Sequence, residues 1–412
     1  MAEASRAAVN VVCVASYFKG ADFLRECARQ GARVELLTRE RTAREHWPRE
    51  ALAGLHLLPD HAGAELVVHA AAQLCRERKV HALVALEEFD VITAALAREH
   101  LRLPGMGGSR ARLFRDKLAM RVRASEAGLA VPDFVPLFNY QEVGEYMERV
   151  PPPWVVKPRS DVSSSGVRRL EESEQVWRAI EALDAREPLQ DKSSYYLLEK
   201  FVPGEVFHVD SLVEDGEVIF SGASRYGRPP LRVVSEGGVF TTHTVEYDSP
   251  EHAELLQVNA GLLRALGLRR GAAHAEFIRG AEDGRLYFLE VAARVGGAYI
   301  AETLEAASGH NLWCEWARVE VAHARGGRVG SLAARREYAG LALSLARQER
   351  PDTSAYDDPE VVFRVDRAHH AGLVVRSPDL ARVRGLLDSY AERFARDFSA
   401  YVPPPERRGI NL

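Results

Sequence analysis

Two carboxylates and an arginine, set among apolar residues, are the first groups in this sequence that could do chemistry. In LYFLEVAARVGGAYI, residues 286–300, an apolar run reads as a buried strand ending on Glu290. Arg294 follows four residues on, and the pair Gly296 and Gly297 comes behind it. Upstream, AHAEFI carries Glu276, with Asp283 and Gly284 between the two segments. Strand, Asp-Gly turn and strand predict a hairpin that sets Glu276 beside Glu290. Two hard oxygen ligands on neighbouring strands suit Mg²⁺ carrying nucleotide phosphates. The arginine suits an anion, and the glycines let backbone approach a ligand. Two surface glutamates on an ordinary hairpin would look the same, so the reading depends on the rest of the chain.

Other segments add to it. WVVKP, behind the rigid Pro151-Pro152-Pro153 connector, is a short apolar strand carrying Lys157. The loop RSDVSSSGV follows, with Ser163, Ser164, Ser165 and Gly166. Small residues there expose backbone N–H and hydroxyl donors that can cradle phosphates, as any flexible turn also can. The GK[ST] ending of a Walker A loop is absent. Residues 224–247 read as a long, poorly periodic loop that covers a site. Its Arg225, Arg228 and Arg232 could bind a carboxylate, and His243 could orient or deprotonate an amine. Each could equally be a solvated loop side chain. Glu87, Glu88 and Asp90 close a strand in HALVALEE; they could hold a substrate amino group, or simply favour a helix start. Lys117, taken alone, reads as a solvated lysine in the middle of a helix over residues 109–128.

The elements that must position these groups follow from hydrophobic pattern. Residues 1–108 alternate strand and helix, which predicts a doubly wound parallel sheet with ligands at the carboxyl ends of its strands. No GxGxxG follows the first strand, so a dinucleotide site is not expected. YYLLEKFVPGEVFHVDSLVEDGEVIFSGASRYG reads as three strands, and the end of the chain as a small sheet backed by one helix. The chain has 412 residues, 46% hydrophobic, and a net charge of −5, enough for two or three domains and unlike a general nucleic-acid binder. Its four cysteines are widely spaced and predict reduced thiols in a cytoplasmic protein. No run is long enough to span a bilayer.

Six motifs then fall in one order: RDK at 115–117, VVKP at 155–158, SDVSSSGV at 160–167, EKFVPGE at 199–205, HAEF at 274–277 and FLEVAARVGG at 288–297. This series resembles the ATP-grasp superfamily, and within it the carboxylate–amine ligases of the L-amino-acid ligase and carnosine synthase kind. The resemblance implies an α/β ATP-grasp fold, with an N-terminal doubly wound parallel sheet and two α+β subdomains clamping ATP. It implies a pre-ATP-grasp domain at 1–108, a lid subdomain with its leading helix at 109–200, a large subdomain at 201–330, and a C-terminal subdomain and tail at 331–412. Lys117 and Lys157 look like the phosphate-contacting lysines, and Ser163, Ser164, Ser165 and Gly166 like the closing loop. Glu199 with the backbone of Lys200, Phe201 and Val202 matches the adenine-reading segment, and Glu205 the ribose carboxylate. Glu276 and Glu290 match the Mg²⁺ ligands and Arg294 the arginine that neutralises an acyl phosphate. Arg225 is the expected catalytic carboxylate binder, with Glu88, Arg232, His243, Gly296 and Gly297 toward the substrates. The implied reaction activates a carboxylate with ATP and passes it to an amine, in a homodimer without membrane or nucleic-acid partners. Asn is common two residues after the second metal Glu, but Ala292 stands there. A bicarbonate-activating enzyme of the biotin carboxylase kind and a silent ATP-binding module stay open as alternatives.

Overall fold

The computed structural model describes residues 9–161, 166–184 and 193–400. Strands β1 (Val9–Ala15), β2 (Ala32–Arg39), β3 (Gly54–Leu58) and β4 (Ala82–Ala85) form one sheet in the order β3-β2-β1-β4. All its pairings are parallel, with α1 (Ala21–Arg29) and α2 (Ala64–Glu77) in the connections and α3 (Val91–Leu101) after β4. Burial on both faces explains why β1 reads as a continuous apolar run. β3 is not legible in the sequence, because it is short and its Leu57 is 45% exposed. At the carboxyl edge Asp90 accepts from the Ser16 N–H (2.6 Å) and hydroxyl (2.6 Å), tying the loops after β1 and β4 together.

The single helix expected at 109–128 is two: α4 (Gly108–Arg112) and α5 (Lys117–Glu126). Asp116 breaks it by capping α5, its Oδ1 accepting from the amides of Leu118 (3.0 Å) and Ala119 (3.4 Å), while Arg159 holds the same carboxylate. Lys117 therefore opens a helix and does not sit inside one.

A second sheet has the order β5-β8-β6-β7, all antiparallel: β5 (Phe134–Pro136), β6 (Trp154–Pro158), β7 (Arg168–Leu170) and β8 (Tyr196–Lys200). α6 (Tyr140–Arg149) and α7 (Ser173–Asp184) close its own core around Val143, Tyr146, Trp154, Val176 and Ile180.

The largest sheet has eight strands, β13-β12-β9-β10-β11-β14-β16-β15. Its central part is β9 (Gly204–Glu214), β10 (Glu217–Tyr226), β11 (Phe240–Thr244), β12 (Gly271–Gly280) and β13 (Leu286–Ala292). The expected loop at 224–247 is structured. β10 runs on to Tyr226, α8 (Pro230–Glu236) begins on a proline, and FTTHT is β11. At a helix's first turn a proline's missing N–H costs nothing. β14 (Tyr338–Leu345), β15 (Val361–Arg364) and β16 (His370–Ser377) are not a sheet of their own: β14 pairs with β11 and extends the large one. Helices α9 (Pro250–Leu266), α10 (Ile300–Ser308), α11 (Leu312–Ala324) and α12 (Leu380–Asp397) pack on it. Among the described residues no helix is long and apolar enough to cross a membrane.

β8 and β9 belong to different sheets, so Pro203 and Gly204 carry the chain between sheets and make no hairpin. Gly204 faces Gly280 across β12, and a Cβ on it would stand 1.9 Å from the carbonyl oxygen of Arg279. Backbone cannot swing away as a side chain could. Gly204→Ala should therefore destabilise the protein by about 1–3 kcal/mol, read as a lower urea midpoint. An unchanged midpoint would refute this close approach.

Candidate functional site

β12 and β13 pair antiparallel with Glu276 directly opposite Glu290. From the first turn of α5, Lys117 Nζ reaches Glu290 Oε2 at 2.8 Å and donates to the carbonyl of Asp161 at 2.7 Å. The Glu290 side chain is 34% exposed. Burial alone would raise its carboxyl, but the Lys117 ammonium, with Lys157 and Arg121 behind it, brings it down to about 2. Two carboxylates in register, one firmly ionised, are the hard oxygen donors a divalent cation takes.

Behind Glu290 lies a buried trio of charges. Glu199 sits opposite Val155, which puts Lys157, two residues on, on the same face of the lid sheet. Lys157 Nζ bonds Glu199 Oε1. Arg121, fully buried on α5, donates through Nε (3.1 Å) to Glu199 Oε2, with its Nη2 3.0 Å from the same oxygen, and through Nη1 to the Leu289 carbonyl. Burial would raise Glu199, yet Arg121 and Lys157 hold it below the usual carboxylate range. Burial lowers Lys157 to about 8; Arg121 adds to that and Glu199 opposes it.

A second cluster joins the parallel sheet to the large one. Glu88 Oε2 takes Arg294 Nε (3.1 Å) and Nη2 (2.7 Å), and its Oε1 takes Arg115 Nη1 (2.6 Å). Arg115 also donates to the Ser160 carbonyl at 3.0 Å. With both oxygens occupied, Glu88 is the counter-ion of Arg294 and does not stand open for an amino group. Glu87 pairs with Lys19 at 3.0 Å, and Asp90 is spent on Ser16. Arg225 and Glu205, expected to act separately, pair with each other at 3.0 Å.

On the inner strands runs a polar relay. Tyr226 donates to Glu276 Oε1 (2.7 Å), and His274 Nε2 lies 3.6 Å from that oxygen. His274 Nδ1 meets Asp210 Oδ1 (2.9 Å), Asp210 Oδ2 meets His208 Nδ1 (2.7 Å), and His208 Nε2 meets Thr242 Oγ1 (2.8 Å). Burial alone would lower His274, but Asp210 and Glu276 lift it to about 10; the same contacts hold Asp210 far below its ordinary value. Gly296 packs against this relay: its Cβ would be 2.6 Å from Asp210 Oδ1. Ala292, where a side-chain ligand was expected, lies opposite His274 in the ladder.

The remaining expected residues are more scattered. Gly166 follows the loop in a left-handed turn (φ 72°), and Ser163, Ser164 and Ser165 lie outside the described residues. The amides of Lys200 and Phe201 are donated to the carbonyls of Asp133 (2.8 Å) and Pro153 (2.9 Å), and Val202 follows. His243 is buried, its Nδ1 donates to the Thr244 carbonyl (2.9 Å), and burial lowers it to about 4. Arg232 is exposed on α8. A Cβ on Gly297 would lie 3.9 Å from Lys19 Nζ. Sequence reasoning missed Arg121, Arg115, Asp210, His208, His274 and Tyr226. The pairs His208/Asp210 and His274/Glu276 do carry a signal: two polar residues at a spacing of two share one face of a strand that otherwise reads as core. Arg121 carries none, since a helical arginine reads as solvated.

The ATP-grasp domain family matches residues 150–302. The chain is 26% identical over 234 residues to the L-arginine-specific L-amino acid ligase of Bacillus subtilis, covering 56% of this chain and 55% of that one. It is 26% identical over 215 residues to the D-alanine–D-alanine ligase of Dechloromonas aromatica (strain RCB), covering 50% of this chain and 65% of that one. The match thus spans less than two thirds of either relative. The crystal structure of an L-amino acid ligase from Bacillus licheniformis superposes with a TM-score of 0.73 at 19% identity, over 96% of this chain and 99% of that one, which shows a shared fold.

Removing Arg121 would leave Glu199 buried with one partner fewer. Arg121→Met is expected to cost about 3–5 kcal/mol in urea unfolding. A loss below about 1 kcal/mol, the scale of an exposed pair, would show that Glu199 does not depend on it.

Proposed function

We propose that this chain, which carries an ATP-grasp domain, is an ADP-forming ligase that activates a carboxylate as an acyl phosphate and joins it to an amine. An amino acid is the carboxylate we favour. What supports this reading is that Lys117 pairs with Glu290 opposite Glu276, that Lys157 lies near enough to lower the Glu290 carboxyl, and that Glu88, which holds Arg294, feels both Glu290 and Lys117. A carboxylate is a poor acyl donor because its leaving group would be oxide, and phosphorylation makes a good one. Lys117 and Lys157 bind the phosphates, and Arg294, steadied by Glu88, faces the charge that develops on the transferring phosphoryl group. Glu276 and Glu290 are the residues that would hold Mg²⁺, which when bound supplies charge neutralisation at the phosphates. The Tyr226 and His274 contacts fix Glu276 for that role. With the Lys200 and Phe201 amides already used, the base edge falls to carbonyls of residues 199–202 and to the Val202 amide; Glu205 reaches the ribose. Gly166, in its left-handed turn, is the described end of the segment that the resemblance assigns to the phosphates. His243, kept neutral by burial and bonded to the Thr244 carbonyl, is on this reading a group that orients the amine. Arg225, Arg232, Gly296 and Gly297 remain on the substrate side. On this reading residues 1–108 and 331–412 flank a lid at 109–200 and a large subdomain at 201–330, in a cytoplasmic homodimer.

Three measurements test it. ADP release should require a pair of amino acids in a phosphate-release screen; release that instead needs bicarbonate and biotin, or no release with any pair, would defeat the reading. Lys117→Ala and Lys157→Ala should each lower turnover by about two orders of magnitude or more; near wild-type turnover in both would remove them from the site. Lys157 loses its proton as pH rises through about 8, so nucleotide affinity should weaken above that pH. Lys157→Arg, charged throughout, should flatten that dependence, and an unchanged profile would show that another group titrates.

A further inference from the structure

Apart from the candidate site, a cavity of about 270 Å³ opens along the free edge of β4. Leu83 and Ala85 form one wall, Gly271 and Ala272 at the start of β12 another, and Trp316 and Glu320 of α11 a third. None of its lining residues belongs to the site described above. Its lining joins apolar residues with Arg98, Arg110, Arg269 and Arg270, against the one carboxylate of Glu320. Glu320 is already committed, to Arg270 Nε at 2.8 Å and to the Trp316 indole at 3.1 Å.

Arg98 has no such partner. It is only 8% exposed, and its Nε and Nη1 donate to the carbonyls of Met106 (2.9 Å) and Leu83 (2.9 Å). Among the described residues no carboxylate bonds to it. Burial pulls the guanidinium down to about 10, as expected of a cation out of water with too little counter-charge. Arg110 and Arg269 are exposed at the cavity's rim. At about 30 Å³ per water, the space suits a ligand on the order of ten heavy atoms.

We propose that this cavity is a binding site for a small organic anion, a carboxylate with a short branched apolar tail. The carboxylate sits on Arg98, Arg110 and Arg269 draw it in, and the tail packs between Trp316 and Leu83. A bare oxyanion would match the guanidinium groups but leave the apolar wall unsatisfied.

Calorimetric titration of the full chain with isocaproate, without nucleotide or turnover, tests this separately from the ligase reading. Wild-type protein should bind one isocaproate per chain, and the neutral isocaproamide should not bind. The rim double variant Arg110→Gln/Arg269→Gln should weaken binding at least about fivefold, and Arg98→Met should abolish it. If Arg98→Met fails to fold, the rim variant alone decides. Arg294→Gln should leave binding intact. No saturable binding at millimolar isocaproate, equal binding of the amide, or loss in Arg294→Gln with retention in the rim variant would overturn the site. Sulfate binding without isocaproate binding would overturn the proposed tail.

Discussion

The structure depends on a single desolvated carboxylate. Glu199 is out of water on β8 of the second sheet, and two cations neutralise it from different directions. Lys157 comes from the neighbouring strand of the same sheet, and Arg121 from a helix that also bonds the carbonyl of Leu289 on the large sheet. Each buried ion costs several kcal/mol to dehydrate, so the trio is stable only while all its members are in place. That requirement fixes where the second sheet stands relative to β13. It also holds Lys157 and Glu290 at one end of one cleft.

The same logic is repeated at the border with the parallel sheet. Glu88 and Arg294 are 206 residues apart in the chain, and their pairing closes the cleft from the other side. Arg115 and Lys117 donate to the carbonyls of Ser160 and Asp161 as well. Three adjacent residues, Arg115, Asp116 and Lys117, thus each hold a different part of the cleft: Glu88, Arg159 and Glu290. Charges fixed this way by their partners would need little reorganisation if, as proposed, a phosphate is the ligand.

The relay through Asp210 bears on the missing ligand at Ala292. His274 stands opposite Ala292 in the β ladder and is held protonated between Asp210 and Glu276. A positive charge therefore already lies beside Glu276 on the side where a side-chain ligand is absent. Gly296 belongs to this arrangement because any side chain there would strike Asp210.

The sequence by itself determined the local elements and the order of the motifs. Alternation and the Asp-Gly turn gave the hairpin and set Glu276 against Glu290, since strand pairing across a short turn has few registers. Three strands of the parallel sheet were equally legible from their apolar runs, and the half-exposed β3 was not. The split at Asp116, the strand FTTHT and the joining of β14 to β11 were decided only in three dimensions. Each depends on a partner distant in the chain: Arg159 for the Asp116 cap, Gly340 to Leu343 beside β11 for the sheet. The use of each charge was likewise hidden. A sequence shows that Arg121, Glu88 and Arg225 are charged, but whether such a group meets water, a ligand or a counter-ion depends on which remote segments fold against it.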